Sequence, residues 1–228
     1  MKRIDIFLIH GISKGSIPNG YYDEFVNGIR KNLPIDLDIN FHPIDYSFLL
    51  EKEEANIYEE QKPYHFYKKL LGLATELICD VLAYAPTEKV EGFYNQVHEL
   101  IDRKYDSIEM YYPFSIKVFM CHSLGSQIGT TYLWRKNVDH IITMGCPVRF
   151  FSIRFKEKPT PPNVLTFTNF YSRYDPVSTA LKPMWNFVKD VCVDSWFTPL
   201  NKLPMKAHSS YWTSSIVQKK IAEVLKSL

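Results

Sequence analysis

The sequence lacks the features that mark several classes of protein. Its four cysteines form no CxxC pair, so neither a zinc ribbon nor a disulfide framework is predicted, and we expect reduced thiols. Lysine and arginine number 27 against 25 aspartates and glutamates, and no long basic cluster occurs, so no nucleic-acid partner is predicted. The apolar helical pattern over residues 70–85 contains Glu76 and Asp80 and is shorter than a membrane span, so we predict no transmembrane segment. The cysteines are Cys79, Cys121, Cys146 and Cys192.

The amino terminus also lacks the pattern of an export signal. Met1-Lys2-Arg3 is followed at once by Asp5 and a strand pattern, without an apolar core or a small-residue cleavage site. We therefore expect a cytoplasmic location. The sequence contains no HExxH, no Walker loop and no GxGxxG, so neither a metal ion nor a cofactor is predicted.

Strand and helix patterns alternate along the 228 residues. Nearly continuous apolar runs predict strands at residues 4–9, 37–41, 116–120, 140–144, 164–170 and 187–193. Apolar residues at helical spacing predict helices over 70–82, 90–101, 124–133 and 216–225. This alternation predicts a single α/β domain, a three-layer sandwich with a mostly parallel sheet of about six strands and helices on both faces. The ligand site of such a sheet lies at the carboxyl ends of its strands.

A serine stands between one of these strands and the next helix. The segment Cys121-His122-Ser123-Leu124-Gly125 has the form small-x-Ser-x-small, which suits a nucleophile on a sharp strand-to-helix turn. It resembles the elbow of the α/β-hydrolase superfamily, particularly its lipase and esterase-like members, which usually reads Gly-x-Ser-x-Gly. Cys121 departs from that pattern, although cysteine is compact and often buried. The alternative is a serine that caps the helix.

The end of the first strand strengthens this resemblance. His10-Gly11-Ile12 is similar to the oxyanion segment of the family, in which a backbone N–H faces the developing negative charge. The resemblance implies that the N–H groups of Ile12 and Leu124 form the oxyanion hole. We assign His10, Gly11 and His122 to the binding site, and expect His10 to be structural rather than a proton carrier.

The chain order of the family, serine then acid then histidine, selects the other two residues. Of seven histidines, only His208 follows Asp175, which stands in an Asp-Pro-Val segment just after the strand pattern 164–170. Two competing acids, Asp190 and Asp194, lie within or beside the last predicted strand. Side chains inside a strand point alternately to its two faces, which favours Asp175. The Gly-Cys-Pro turn that begins at Gly145 is interpreted as scaffold.

Two regions depart from the usual family pattern or leave their role open. Residues 47–115 carry two predicted helices where one is typical, so we predict a helical insertion within the domain 1–228. The second region alternates aromatic and basic residues and fits an acyl pocket, a peripheral membrane contact or a cover for the sheet. It comprises Arg149, Phe150, Phe151, Arg154 and Phe155.

The resemblance implies a hydrolase of carboxylic esters with a small-molecule or lipid-like substrate. Ser123 would be the nucleophile, His208 the general base and Asp175 the acid that orients it. Lipases, thioesterases and amidases share this machinery, and the oligomeric state is left open. The alternatives are a catalytically silent domain used for binding and a cysteine hydrolase that uses Cys121.

Overall fold

The computed structural model describes residues 2–11, 20, 22–49, 91–149, 152, 163–196 and 204–228. Side chains are described from residue 95 in the helix that begins at 91, and from 206 in the helix that begins at 204. The predicted helix 70–82, most of the predicted insertion and the aromatic residues at 150, 151 and 155 therefore lie outside the described residues.

Within the described residues, six strands form one parallel sheet, in the order β2-β1-β3-β4-β5-β6. All six predicted strands are present, so the predicted parallel sheet is confirmed. The strands are β1 (Arg3–Ile9), β2 (Asp38–Ile44), β3 (Ile116–His122), β4 (Val138–Met144), β5 (Val164–Tyr171) and β6 (Lys189–Cys192).

Helices cover both faces of the sheet and bury two separate cores. One core contains α2 and α3, and the other contains α1, α4 and α5. The predicted three-layer sandwich is therefore confirmed. The helices are α1 (Asp23–Arg30), α2 (Glu91–Tyr111), α3 (Leu124–Tyr132), α4 (Pro204–Thr213) and α5 (Ser215–Lys226).

Strand β1 shows why its sequence is apolar without interruption. Phe7 and Ile9 enter the core on one face, whereas Ile6 and Leu8 enter the core on the other, and all four are fully buried. Successive strand residues point to opposite faces, so a strand covered on both sides needs apolar residues at every position. The apolar run is thus a direct consequence of the two helical layers.

Two helices were not predicted, and a third is longer than predicted. Helix α1 is only eight residues long and buries Phe25, Val26 and Ile29, which is too few apolar residues for a clear periodicity. Helix α4 buries Ala207, Ser210, Tyr211 and Trp212, which lie close together in a short segment and give only a weak apolar pattern in the sequence. Helix α2 runs ten residues past the predicted end at residue 101.

Two features are absent from the described ranges. No helix within them is both long enough and apolar enough to cross a membrane. The same ranges contain no group of three or more histidine, cysteine, aspartate or glutamate residues that could hold a metal ion.

The sheet changes direction between β1 and β3. The chain passes from β1 to β2 on one side and then returns to place β3 on the other side of β1. In an open parallel sheet, such a switch point leaves a crevice at the carboxyl ends of the two strands. The residues that follow β1 and β3, His10-Gly11 and Ser123, therefore meet at this crevice.

Candidate active site

Ser123 occupies a strained turn between β3 and α3. Its backbone angles are φ 53° and ψ −127°, and among the described residues it is the one non-glycine residue with a positive φ. The serine side chain makes no capping hydrogen bond to α3, so the helix-cap interpretation is wrong. Backbone strain of this kind costs on the order of 1–3 kcal/mol and clusters at functional sites, because the surrounding structure must enforce it.

The turn is possible because glycines line the contact between β1 and the elbow. A Cβ atom at Gly125 would lie 2.3 Å from the backbone oxygens of both Ile9 and His10. A Cβ atom at Gly11 would lie 2.6 Å from the Cβ of Ser123. Backbone oxygens and a Cβ atom cannot move aside, so both positions require glycine. Gly125 is the small residue that the sequence pattern places two positions after the serine.

The cysteine at the other small position is accommodated by a glycine in α3. Cys121 is fully buried, and a Cβ atom at Gly129 would lie 2.6 Å from its Sγ atom. The thiol therefore occupies the space that a side chain at residue 129 would need. Burial also raises the pKa of Cys121 well above its usual range, so the thiol stays protonated and unreactive. This environment disfavours Cys121 as a nucleophile.

The three predicted residues meet in one hydrogen-bonded chain. The Oγ of Ser123 lies 2.7 Å from Nε2 of His208, and Nδ1 of His208 lies 2.9 Å from Oδ2 of Asp175. An ionised carboxylate can only accept, so Nδ1 carries the proton and Nε2 presents its lone pair to the serine hydroxyl. Ser123 and Asp175 are both only 3% exposed. This tautomer is the one that allows the histidine to accept the serine proton.

Both oxygens of the acid are held in place. Asp175 lies four residues past the carboxyl end of β5, as the sequence indicated. Its Oδ1 atom accepts a hydrogen bond of 3.1 Å from the backbone N–H of Val177, which closes a turn around the intervening proline. Its Oδ2 atom accepts hydrogen bonds from His208 and from the hydroxyl of Tyr211, the latter at 3.1 Å.

His208 lies inside α4, a helix that the sequence did not predict. The Nε2–H of His122 donates a 2.8 Å hydrogen bond to the backbone oxygen of His208, and the two rings lie 5.0 Å apart. Burial and the neighbouring His208 lower the pKa of His122 to about 3, so it stays a neutral donor. His122 therefore attaches the end of β3 to the helix that carries His208.

Gly145, which the sequence analysis assigned to scaffold, contacts the hydrogen-bonded chain directly. Its φ is 61°, and a Cβ atom there would lie 3.1 Å from Cε1 of His208 and 3.2 Å from Oδ2 of Asp175. The position thus requires glycine for its backbone angle and for its space. A glycine directly after an apolar strand was the available signal, but the contact itself joins distant parts of the chain.

The two competing acids have other roles. Asp194 accepts hydrogen bonds from the hydroxyl of Ser172 at 2.7 Å and from the backbone and side chain of Arg173 at 2.9 and 2.5 Å. Asp190 accepts from the backbone of residues 181–182 at 2.9 and 2.7 Å. The argument that a side chain inside a strand points to one face of the sheet, away from the site, holds for Asp190, which lies in β6. It is wrong for Asp194, which begins a 3₁₀ turn after β6. Both acids brace the segments on either side of the acid loop.

The oxyanion segment is described in part. The ring of His10 is buried and stacks on Tyr46 at 4.4 Å, and the Tyr46 hydroxyl donates to the backbone oxygen of His10 at 2.6 Å. Burial lowers the pKa of His10 to about 4, which agrees with a structural role. Leu124 is the first residue of α3, where backbone N–H groups have no acceptor within the helix. Ile12 lies outside the described residues.

Comparison with known proteins identifies the fold. No protein-family model matches the sequence, and no curated protein matches it. A solved structure from Xanthomonas campestris pv. campestris, described as a hydrolase of the alpha/beta superfamily, is 14% identical and covers 100% of both chains with a TM-score of 0.50. An esterase domain from Rhodothermus marinus is 12% identical over 99% of this chain and 84% of that one, with a TM-score of 0.49. A cutinase-like protein from Cryptococcus sp. is 9% identical over 96% and 90%, with a TM-score of 0.47. The match with a TM-score of 0.50 and the parallel sheet show that the chain has the α/β-hydrolase fold.

Proposed function

We propose that this protein is a serine hydrolase that cleaves a carboxylic ester or a related acyl bond. The observation that carries the proposal is the continuous chain from Ser123 through His208 to Asp175, with distances of 2.7 and 2.9 Å. A second support is the strained backbone of the serine, which presents its hydroxyl at the switch point of the sheet.

In the first step, the Oγ of Ser123 forms a bond to the carbonyl carbon of the substrate. The Nε2 atom of His208 takes the serine proton, and the electron pair of the carbonyl double bond moves onto the carbonyl oxygen. Asp175 stabilises the imidazolium that forms, because its carboxylate accepts from Nδ1.

The negative oxygen of the resulting tetrahedral intermediate needs hydrogen-bond donors. The N–H of Leu124, at the positive end of α3, is one donor in this proposal, and the N–H of Ile12 is the other. Loss of one such donor typically costs about 10²–10³ in turnover.

Collapse of the intermediate completes acylation. The bond between the carbonyl carbon and the leaving oxygen breaks, and His208 gives its proton to the departing alcohol. Water then attacks the carbonyl carbon of the acyl-enzyme, and His208 accepts a proton from this water. Release of the carboxylic acid returns the proton to Ser123, so the cycle needs no oxidant or reductant.

A fluorophosphonate probe tests the proposal, because it phosphonylates an activated serine whatever the natural acyl group is. We expect the folded protein to label at Ser123 and to hydrolyse short-chain aryl esters, with both properties lost after heat denaturation. Ser123→Ala should lose both while melting like the wild type. Ser126→Ala, which changes a different buried serine in the first turn of α3, should keep both. A folded wild-type protein that does not label would favour a catalytically silent binding domain instead.

A further inference from the structure

The hydroxyl of Tyr211 lies in a buried polar cluster behind the acid. It donates to Oδ2 of Asp175 at 3.1 Å, and Ser172 and Ser178 lie nearby. Tyr211 and Ser172 are fully buried, and Ser178 is 4% exposed. The loop that carries the acid is therefore attached to α4 through this phenolic hydroxyl as well as through His208.

The position of Tyr211 relative to His208 links this contact to the candidate site. The two residues lie three positions apart in α4, so their side chains project from the same side of the helix. Both donate to the same carboxylate oxygen, Oδ2 of Asp175. One helix thus presents the proton acceptor of the serine together with a second donor for the acid that orients it.

We infer that Tyr211 is a positioning residue that holds Oδ2 of Asp175 toward His208, an inference that rests on the proposed function. The backbone N–H of Val177 holds Oδ1, so the two donors together leave the carboxylate one orientation. Without the phenolic hydroxyl, the carboxylate keeps its hydrogen bonds to the N–H of Val177 and to His208. It loses the second donor on α4.

The hydroxyl also affects the proton that His208 takes up. A carboxylate opposite a neutral imidazole keeps its full negative charge, whereas an imidazolium partly neutralises it, so Tyr211 binds more strongly when His208 is neutral. Its presence therefore favours the neutral, base-competent histidine at lower pH. Burial and the charge of Asp175 raise the pKa of Tyr211, so it remains a protonated donor throughout.

Nearby histidines do not contribute to the pH dependence of activity between pH 5 and 9. Among the described residues, His122 faces His208 from the end of β3, and His10 lies close to His122 at the end of β1. Burial lowers the pKa of His122 to about 3 and that of His10 to about 4. Both are neutral between pH 5 and 9, so a limb of the activity profile in that range does not report on them.

The test compares Tyr211→Phe with Tyr132→Phe across pH 5–9. Tyr132 is an equally buried tyrosine whose hydroxyl donates to a carboxylate, that of Asp102 at 2.7 Å, on the opposite face of the sheet. For Tyr211→Phe we expect kcat for an aryl ester to fall about tenfold with KM nearly unchanged, and the acid limb of kcat/KM to move to higher pH. Tyr132→Phe should lower the melting temperature and leave kcat and the acid limb unchanged.

A second variant keeps the fold and reverses the effect. Site-specific 3-fluorotyrosine at position 211 retains the hydroxyl and makes it a stronger donor, so the acid limb should move to lower pH. Wild-type kcat and an unmoved limb in both Tyr211 variants would overturn the role of Tyr211 while fluorophosphonate labelling still supports the proposed function. A folded wild-type protein that does not label would overturn both proposals.

Discussion

Replacement of Gly145 by alanine should perturb the candidate site without removing any of its polar atoms. The added methyl carbon would lie 3.1 Å from Cε1 of His208 and 3.2 Å from its Nδ1 and from Oδ2 of Asp175. Contacts this short require the two side chains to move apart by a few tenths of an ångström. The methyl group would therefore act on the hydrogen bond that orients the histidine.

The structure separates two costs of this change. The left-handed backbone at φ 61° costs an alanine about 1–2 kcal/mol, which should lower the free energy of unfolding by that amount. Displacement of the histidine should lower turnover, because a misplacement of 1 Å can cost about 10²-fold. A shift of a few tenths of an ångström is then expected to cost about tenfold.

Gly20→Ala is the matched control for Gly145→Ala. Gly20 also has a positive φ, 87°, but among the described residues a Cβ atom there would meet only the side chain of Asp23. Urea unfolding of both variants measures the backbone cost, and kcat/KM for an aryl ester measures displacement of the site. We expect both to lose stability and Gly145→Ala alone to lose activity. Equal activity in the two variants would refute the argument.

The acid and the buried histidines allow two more tests. Asp175→Asn should lower kcat about 10⁴-fold by leaving the wrong imidazole tautomer. Asp194→Asn should lower the free energy of unfolding by about 1–3 kcal/mol and keep most turnover, and the reverse pattern would make Asp194 the acid. The free energy of unfolding should fall as the pH is lowered from 6.5 to about 4, because four histidines have lowered pKa values in the folded protein and take up protons only on unfolding. Each histidine can lower the free energy of unfolding by up to about 1.4 kcal/mol per pH unit. Equal free energies of urea unfolding at pH 7 and pH 5 would contradict this. The histidines are His10, His98, His122 and His140.

Features that depend on neighbouring residues were readable from the sequence. The six strands were predicted because burial on both faces demands apolar residues at successive positions, as in β1. The meeting of Ser123 and Asp175 followed from the same reasoning, because the carboxyl ends of parallel strands share one edge of the sheet.

Features that depend on contacts between distant residues were not readable. Helix α4 has a weak apolar pattern, so the helical setting of His208 and its alignment with Tyr211 could not be predicted. The constraint on Gly145 comes from His208, 63 positions later in the chain, and no local pattern records it. The strand argument against Asp194 does not apply, because this residue lies after β6. Its hydrogen bonds to the acid loop depend on tertiary structure, so the sequence could not reveal them.

The contact between the side chain of Cys121 and Gly129 determines how the sequence of the elbow can vary. The sulfur of Cys121 fills the volume that α3 leaves empty at Gly129, so these two positions divide one fixed volume between strand and helix. A glycine at position 121, two residues before the serine, would leave room for a larger residue at position 129. A larger residue at position 121 requires glycine at position 129. The elbow is thus constrained by the sum of two side-chain volumes eight residues apart. Chains that satisfy this sum with a cysteine and a glycine can keep the turn while departing from the usual pentapeptide.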